Sequence, residues 1–453
     1  MRVPSTLPLL CTLAGALLTS GAYADVKLPA VFASHMVVQR DVPVPVWGTA
    51  DPAEEVQLQW DGKPAGNAVA DAEGKWKITL SAQAVGGGAH SLKISGKNTL
   101  TLEDILVGEV WLGSGQSNME WPLASTLDAA AVIAAADHPE IRLFHVPKVQ
   151  SPKPAEDVKA QWAVCAPGSV RAFSGVLYYF GTRLQAELKV PVGLINSSWG
   201  GSPIEPWTTH AGASGGMYNG MIAPLIPFPV RGILWYQGET NVIRKNGMEY
   251  LAKMTDLISG WRSAWGAPNL PFHFVQIAPW KGKYEEGELP KLWEAQVAAL
   301  KIPLTGMAVT TDLVDNITDI HPKNKKDVGH RLARWALAKD YKRTDIVFSG
   351  PLLKEQKIEG SKIRVVFAHT ASGLKSRDGK PLSDFEVAGA DGVYVPATAT
   401  IAGRDILVSA EAVDAPKHVR FAWNNTAQPN LANSEDLPAS PFRSENWQGG
   451  TGE

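Results

Sequence analysis

Between residues 105 and 338 the chain switches repeatedly between two hydrophobic periods, and this alternation constrains the fold more than any other feature. Apolar runs of strand length occur at 105–112, 192–196, 232–236, 272–277 and 307–312, and longer amphipathic stretches at 170–188, 248–265, 292–300 and 325–338. Parallel strands need a long crossover to return to the same edge, and a helix supplies it. The expected centre is therefore an α/β domain, residues 105–345, whose mainly parallel sheet is covered on both faces.

The flanks read differently. Residues 25–104 alternate apolar and polar positions between turns such as Asp61-Gly62 and Glu73-Gly74, which predicts a small β-sandwich. Alternation returns after Val347, so residues 346–453 are expected to form a second β-rich domain. Residues 1–24 combine Arg2, an apolar run and the small-residue ending Ala22-Tyr23-Ala24, the pattern of a cleavable export signal. This predicts a periplasmic or secreted protein. No segment approaches the roughly 18 uninterrupted apolar residues of a membrane span. Cys11 falls in the leader, which leaves Cys165 alone in the mature chain, read as a buried hydrophobe rather than a catalytic thiol. With 43 basic and 45 acidic side chains the charge is close to balanced, which argues against nucleic acid or an anionic membrane as partner.

In a parallel α/β sheet, ligands bind where loops leave the carboxyl ends of the strands. Four such loops carry unusual residues. In Gly113-Ser114-Gly115-Gln116-Ser117-Asn118-Met119, glycines allow a tight turn and Ser117 stands where a following helix presents free N–H groups. It is a nucleophile candidate, although a serine in this place also serves simply as a helix cap. The loop from Asn196 through Trp199-Gly200-Gly201 to Glu205-Pro206-Trp207 offers backbone N–H groups unshielded by side chains, as an oxyanion site requires. The segment Trp235-Tyr236-Gln237-Gly238-Glu239-Thr240-Asn241 places amides and a carboxylate just past a buried strand. In Asp319-Ile320-His321-Pro322, the proline favours extended backbone, and residues two apart then share a side, so the carboxylate can stabilise the imidazole. Asp-His pairs also occur as plain surface ion pairs.

Together these four segments resemble the signature blocks of the SGNH hydrolases, and more closely those of the sialate O-acetylesterase family of carbohydrate esterases. The closing Leu437-Pro438-Ala439-Ser440-Pro441-Phe442-Arg443 also fits, so the resemblance spans nearly all of the mature chain. It implies a three-layer, flavodoxin-like α/β/α catalytic domain flanked by β-sandwich-like domains. It implies Ser117 as nucleophile and His321 as general base, with the Ser117 backbone N–H, Gly200 or Gly201, and Asn241 as oxyanion donors. Many SGNH hydrolases carry the acid three residues before the histidine, where this chain has Thr318. Asp319 is the expected acid instead, with Glu239, Asp315 and Asp312 as alternatives. Gln116, Trp199, Glu205, Trp207 and Glu239 are expected to contact substrate, and Trp121 and Trp280 to lie in or near the crevice.

The expected partner is an acetylated carbohydrate, with sialic acid and a neutral sugar such as plant xylan both open. No metal or cofactor is expected, since the histidines form no spaced ligand set. His330 is read as an exposed or capping residue, and Lys323, Lys325 and Lys326 as a solvated helix start. Two alternatives of other classes are a carbohydrate-binding protein that has lost activity and an esterase for lipids, the latter needing an apolar groove that these polar loops do not suggest.

Overall fold

The computed structural model describes residues 25–209, 215–445 and 449–452. The leader, with Cys11, lies outside the described residues. Six short strands open the chain: β1 (Val37–Gln39), β2 (Val44–Thr49), β3 (Glu55–Trp60), β4 (Lys63–Val69), β5 (Lys75–Leu80) and β6 (His90–Ser95). Alternating burial in β3 and β5 puts Val56, Leu58, Trp60, Trp76, Ile78 and Leu80 on the inner face of this sandwich-like unit.

The next strand, β7 (Thr99–Gly115), belongs to two units. Its first half pairs antiparallel with β6, and its second half is the central strand of the parallel sheet. The sandwich is thereby joined to the parallel sheet by continuous backbone, and the expected boundary after residue 104 falls inside this strand.

The remaining strands are β8 (His138–His145), β9 (Trp162–Cys165), β10 (Val192–Ser198), β11 (Gly232–Tyr236), β12 (Phe272–Gln276) and β13 (Thr305–Val309). Along the sheet their order is β13-β12-β11-β7-β10-β8-β9, all parallel neighbours except the antiparallel pair β8 and β9. Every residue of β10, β11, β12 and β13 is buried, as expected of strands covered by helices on both faces.

Six helices position the site: α1 (Ser117–Glu120), α2 (Gly175–Leu188), α3 (Glu239–Ile243), α4 (Tyr250–Ala264), α5 (Glu288–Ala298) and α6 (Lys325–Trp335). Ser174 caps α2 by accepting from Leu177 N, and Asn324 caps α6 by accepting from Asp327 N. Cys165 is buried at the end of β9.

The C-terminal region contains two four-stranded antiparallel sheets with their own core, built from residues such as Ile363, Val365, Val387, Val408 and Phe421. Its last segment returns to the α/β domain. There Ser440 exchanges hydrogen bonds with buried Gln276, and Arg443 pairs with Glu294. None of the helices among the described residues is long and apolar enough to cross a membrane.

Candidate active site

The turn from β7 into α1 depends on Gly115. Its φ is 135°, and a Cβ there would lie 2.2 Å from the Tyr236 carbonyl oxygen, so a side chain is excluded both by strain and by space. Gln116 then runs extended, and Ser117 begins the helix. From the other end of the domain, His321 brings Nε2 to 2.9 Å from Ser117 Oγ, joining residues 204 positions apart.

Three supports hold the histidine loop. Asp319 Oδ1 accepts from the His321 backbone N–H at 2.9 Å and lies 3.6 Å from ring Nδ1. Trp121 stacks on the imidazole, with ring centroids 4.6 Å apart and planes at 18°. Trp280 donates its indole N–H to the Thr318 carbonyl, while its own backbone N–H bonds Asn425 O of the C-terminal domain. Thus the second β-domain helps to brace this loop.

The four candidate acids are in very different positions. Asp312 is held by both arms of Arg331 and by Arg377. Asp315 is exposed and accepts from Lys323 N, and Glu239 is buried, with Oε1 accepting from Asn118 Nδ2. Asp319 is the one placed against the imidazole. Burial holds His321 below its ordinary pKa, Lys325 lowers it further, and Asp319 pulls it back up. A base kept neutral in this way is ready to accept a proton.

On the second loop, Gly200 N donates to Glu120 Oε2 at 2.6 Å, and a Cβ on Gly200 would meet Ser117 Cβ at 3.3 Å. The glycine backbone therefore sits directly over the serine. The Glu120 carboxylate is also paired with Lys148. Glu120 was not anticipated from sequence, although three residues after Ser117 it shares a helix face with it. Gly201, with φ 75°, accepts from the Thr240 hydroxyl.

The structure places the other expected residues as follows. Asn241 is fully buried, and its Nδ2 donates to the Glu205 carboxylate while Oδ1 accepts from Ile204 N and Gln237 Nε2. Its amide ties the second and third loops together. Trp207 is fully buried, donating to Ser202 Oγ and packing edge-on against Trp235, so its indole belongs to the core. Glu205 is engaged by Lys253. Gln116 is buried, with Oε1 accepting from Gln237 Nε2 and Thr240 N. Trp199 is half-buried, its backbone N–H on Gly115 O. His330 is not exposed but half-buried, edge-on to Tyr179. Lys323 and Lys326 are exposed, whereas Lys325 is fully buried on Asn118. Among the described residues, no group of three or more His, Cys, Asp or Glu is arranged to hold a metal.

Comparison with known proteins matches this architecture to relatives. A carbohydrate acetylesterase from Xanthomonas citri superposes with a TM-score of 0.89 at 41% identity, covering 93% of this chain and all of that one. The human sialate O-acetylesterase is 32% identical over 308 residues, which span 58% of each protein. The rat sialate O-acetylesterase is 27% identical over 439 residues, 78% of this chain and 81% of that one. Residues 107–338 match the family described as carbohydrate esterase, sialic acid-specific acetylesterase. These residues run from the core of β7 to just past α6 and hold both Ser117 and His321, and the chain belongs to that family.

Proposed function

We propose that the protein is an exported serine esterase that removes acetyl groups from acetylated sugars. The observation that carries this reading is the 2.9 Å contact between Ser117 Oγ and His321 Nε2. Ser117 Oγ attacks the acetyl carbonyl carbon as His321 Nε2 takes its proton. Collapse of the tetrahedral intermediate breaks the ester C–O bond, and the sugar oxygen leaves with the proton from Nε2. Water, deprotonated by the same nitrogen, then releases acetate and restores the serine. Asp319 stabilises the imidazolium in both halves.

The negative oxygen is held by backbone N–H groups of Ser117 and of the Gly200-Gly201 turn. Glu120 Oε2 on Gly200 N supports this assignment, because that carboxylate oxygen has the charge and contact distance of an oxyanion. Substrate replaces it there. One such donor is typically worth about 3 to 4 kcal/mol of barrier.

Charge favours a neutral sugar over a sialic acid. A sialate carboxylate would need a cation, and Lys148 is engaged by Glu120, Lys253 by Glu205 and Glu249, and Lys325 in the interior on Asn118, which leaves the exposed Lys323 and Lys326 just past His321 as the lysines it would have to draw on. Glu120 and Asp319 beside the serine would repel a further negative group.

Ser117→Ala should abolish acetate release from an aryl acetate and from acetylated oligosaccharides while the thermal unfolding midpoint stays in place. Continued turnover in that variant would refute the nucleophile. Comparing kcat/KM on acetylated xylan oligosaccharides with that on O-acetylated sialic acid tests the sugar class, and a preference for the sialate would reverse the charge argument.

A further inference from the structure

Lys325 is a buried cation in a place where none was expected. It begins α6, four residues after His321, and its side chain has no exposed surface. Its Nζ donates to Asn118 Oδ1 at 2.5 Å. That bond fixes which end of the Asn118 amide is which, and the opposite end, Nδ2, donates to Glu239 Oε1 at 2.5 Å and to the Ile320 carbonyl at 3.1 Å. Asn118 adjoins Ser117 and Ile320 adjoins His321. The amide is thus a direct tie between the helix of the nucleophile and the loop of the base. Lys325 Nζ also lies 5.8 Å from the Trp121 ring that stacks on His321, and 5.5 Å from that of Tyr236.

Accepting the reading of Ser117 and His321 as nucleophile and base, we propose that Lys325 is a positioning residue of the hydrolytic centre. By holding Asn118 Oδ1 it orients the amide whose other end clamps the Ile320 carbonyl and so seats His321 on Ser117.

Two features make a lysine suited to this task. A buried amide that could rotate would exchange a donor for an acceptor opposite Glu239 and Ile320, and an obligate donor on Oδ1 prevents the flip. The amine keeps this role in either protonation state, since neutral or charged it donates to Asn118. Burial pushes Lys325 down to about 7, against the pull of Glu239, Asp315 and Asp319. The charged and titratable groups facing it are Glu239 from α3, Asp315, Asp319 and His321 from the histidine loop, and the Tyr236 phenol from β11. When charged, it lowers the proton affinity of His321.

The test uses the full chain and an aryl acetate. Lys325→Met should lower kcat by about tenfold or more with KM within about twofold, because the seat of the base is disturbed and substrate binding is not. The acid limb of the kcat/KM profile should move to higher pH, since removing a cation raises the proton affinity of His321. Lys325→Met/Glu239→Gln removes both buried charges, leaves no ion unpaired in the interior, and should show the same loss and the same shift. Adding Asn118→Ala to Lys325→Met should cost little beyond the larger single loss if the lysine acts through that amide. Wild-type kcat and an unmoved acid limb in either folded lysine variant would overturn the proposal, as would fully additive losses. With Ser117→Ala inactive, such results reject the role of Lys325 alone. An active Ser117→Ala would instead reject the underlying reading of the site.

Discussion

Asp319→Asn separates this site from one built around a buried triad carboxylate. The contact from Asp319 Oδ1 to His321 Nδ1 is 3.6 Å, longer than a hydrogen bond, and the two side chains are 38% and 25% exposed. At that distance, two unit charges attract by about 1 kcal/mol in water and about 5 kcal/mol at an effective dielectric constant near 20. More than a third of the carboxylate faces solvent, which places the working value toward the low end, about 1 to 2 kcal/mol. The expected loss in kcat/KM is therefore about 5- to 30-fold, far below the roughly 10⁴-fold cost of replacing a buried triad aspartate. The Asn carbonyl can still accept from the His321 backbone N–H, which preserves the loop.

The pH profile gives an independent sign. Asp319 raises the pKa of His321 against burial and Lys325, so its neutralisation lets that pKa fall further. A base of lower pKa stays unprotonated in more acidic solution, and the acid limb of kcat/KM moves to lower pH. The direction is opposite to that expected for Lys325→Met. Steady-state hydrolysis of an aryl acetate from about pH 4 to about pH 9 reads both quantities. A loss beyond about a thousandfold would mean that catalysis draws on a much tighter Asp319 contact than 3.6 Å. An unchanged rate and limb would remove Asp319 from the mechanism altogether.

Two further substitutions test the placements of Trp207 and Asp312. Trp207→Ala should cost about 3 to 5 kcal/mol in urea unfolding, since the indole is fully buried, while KM of the folded enzyme for an oligosaccharide stays put. A raised KM at wild-type stability would return that indole to the substrate. Asp312→Ala leaves Arg331 buried without its carboxylate and should lower stability by about 3 to 5 kcal/mol without moving the acid limb. A moved limb would make Asp312 the partner of His321.

The layered centre and the meeting of Ser117 with His321 were legible because both rest on rules that act along the chain. Period changes mark strands and helices, and strand ends of a parallel sheet share one edge. Where a strand obeys two regimes the reading fails. The first half of β7 alternates and its second half is buried throughout, so one strand reads as two elements. The β8 and β9 pair escaped because 138–145 mixes His, Pro, Glu and Arg with its apolar residues, leaving no clean period.

Side-chain roles were harder, because they depend on which of several close partners wins. Asn241 lies in a loop that does reach the crevice, yet Glu205, from a different loop, claims its amide. Nothing in the local sequence at either position announces that pairing. Lys325 is different, since its signal was present and was outvoted. Beside Lys323 and Lys326 it looks like part of a solvated run, but Val328, Gly329 and Leu332 follow it at three, four and seven positions, all buried. That spacing puts Lys325 on the apolar face of α6. A lysine there is expelled unless a strong acceptor waits inside, because an unpaired buried ammonium is too costly to keep. Its position on that face was therefore already a statement that an acceptor lay beneath the helix, close to the histidine one turn upstream. In the folded protein that acceptor is Asn118, the side chain next to Ser117.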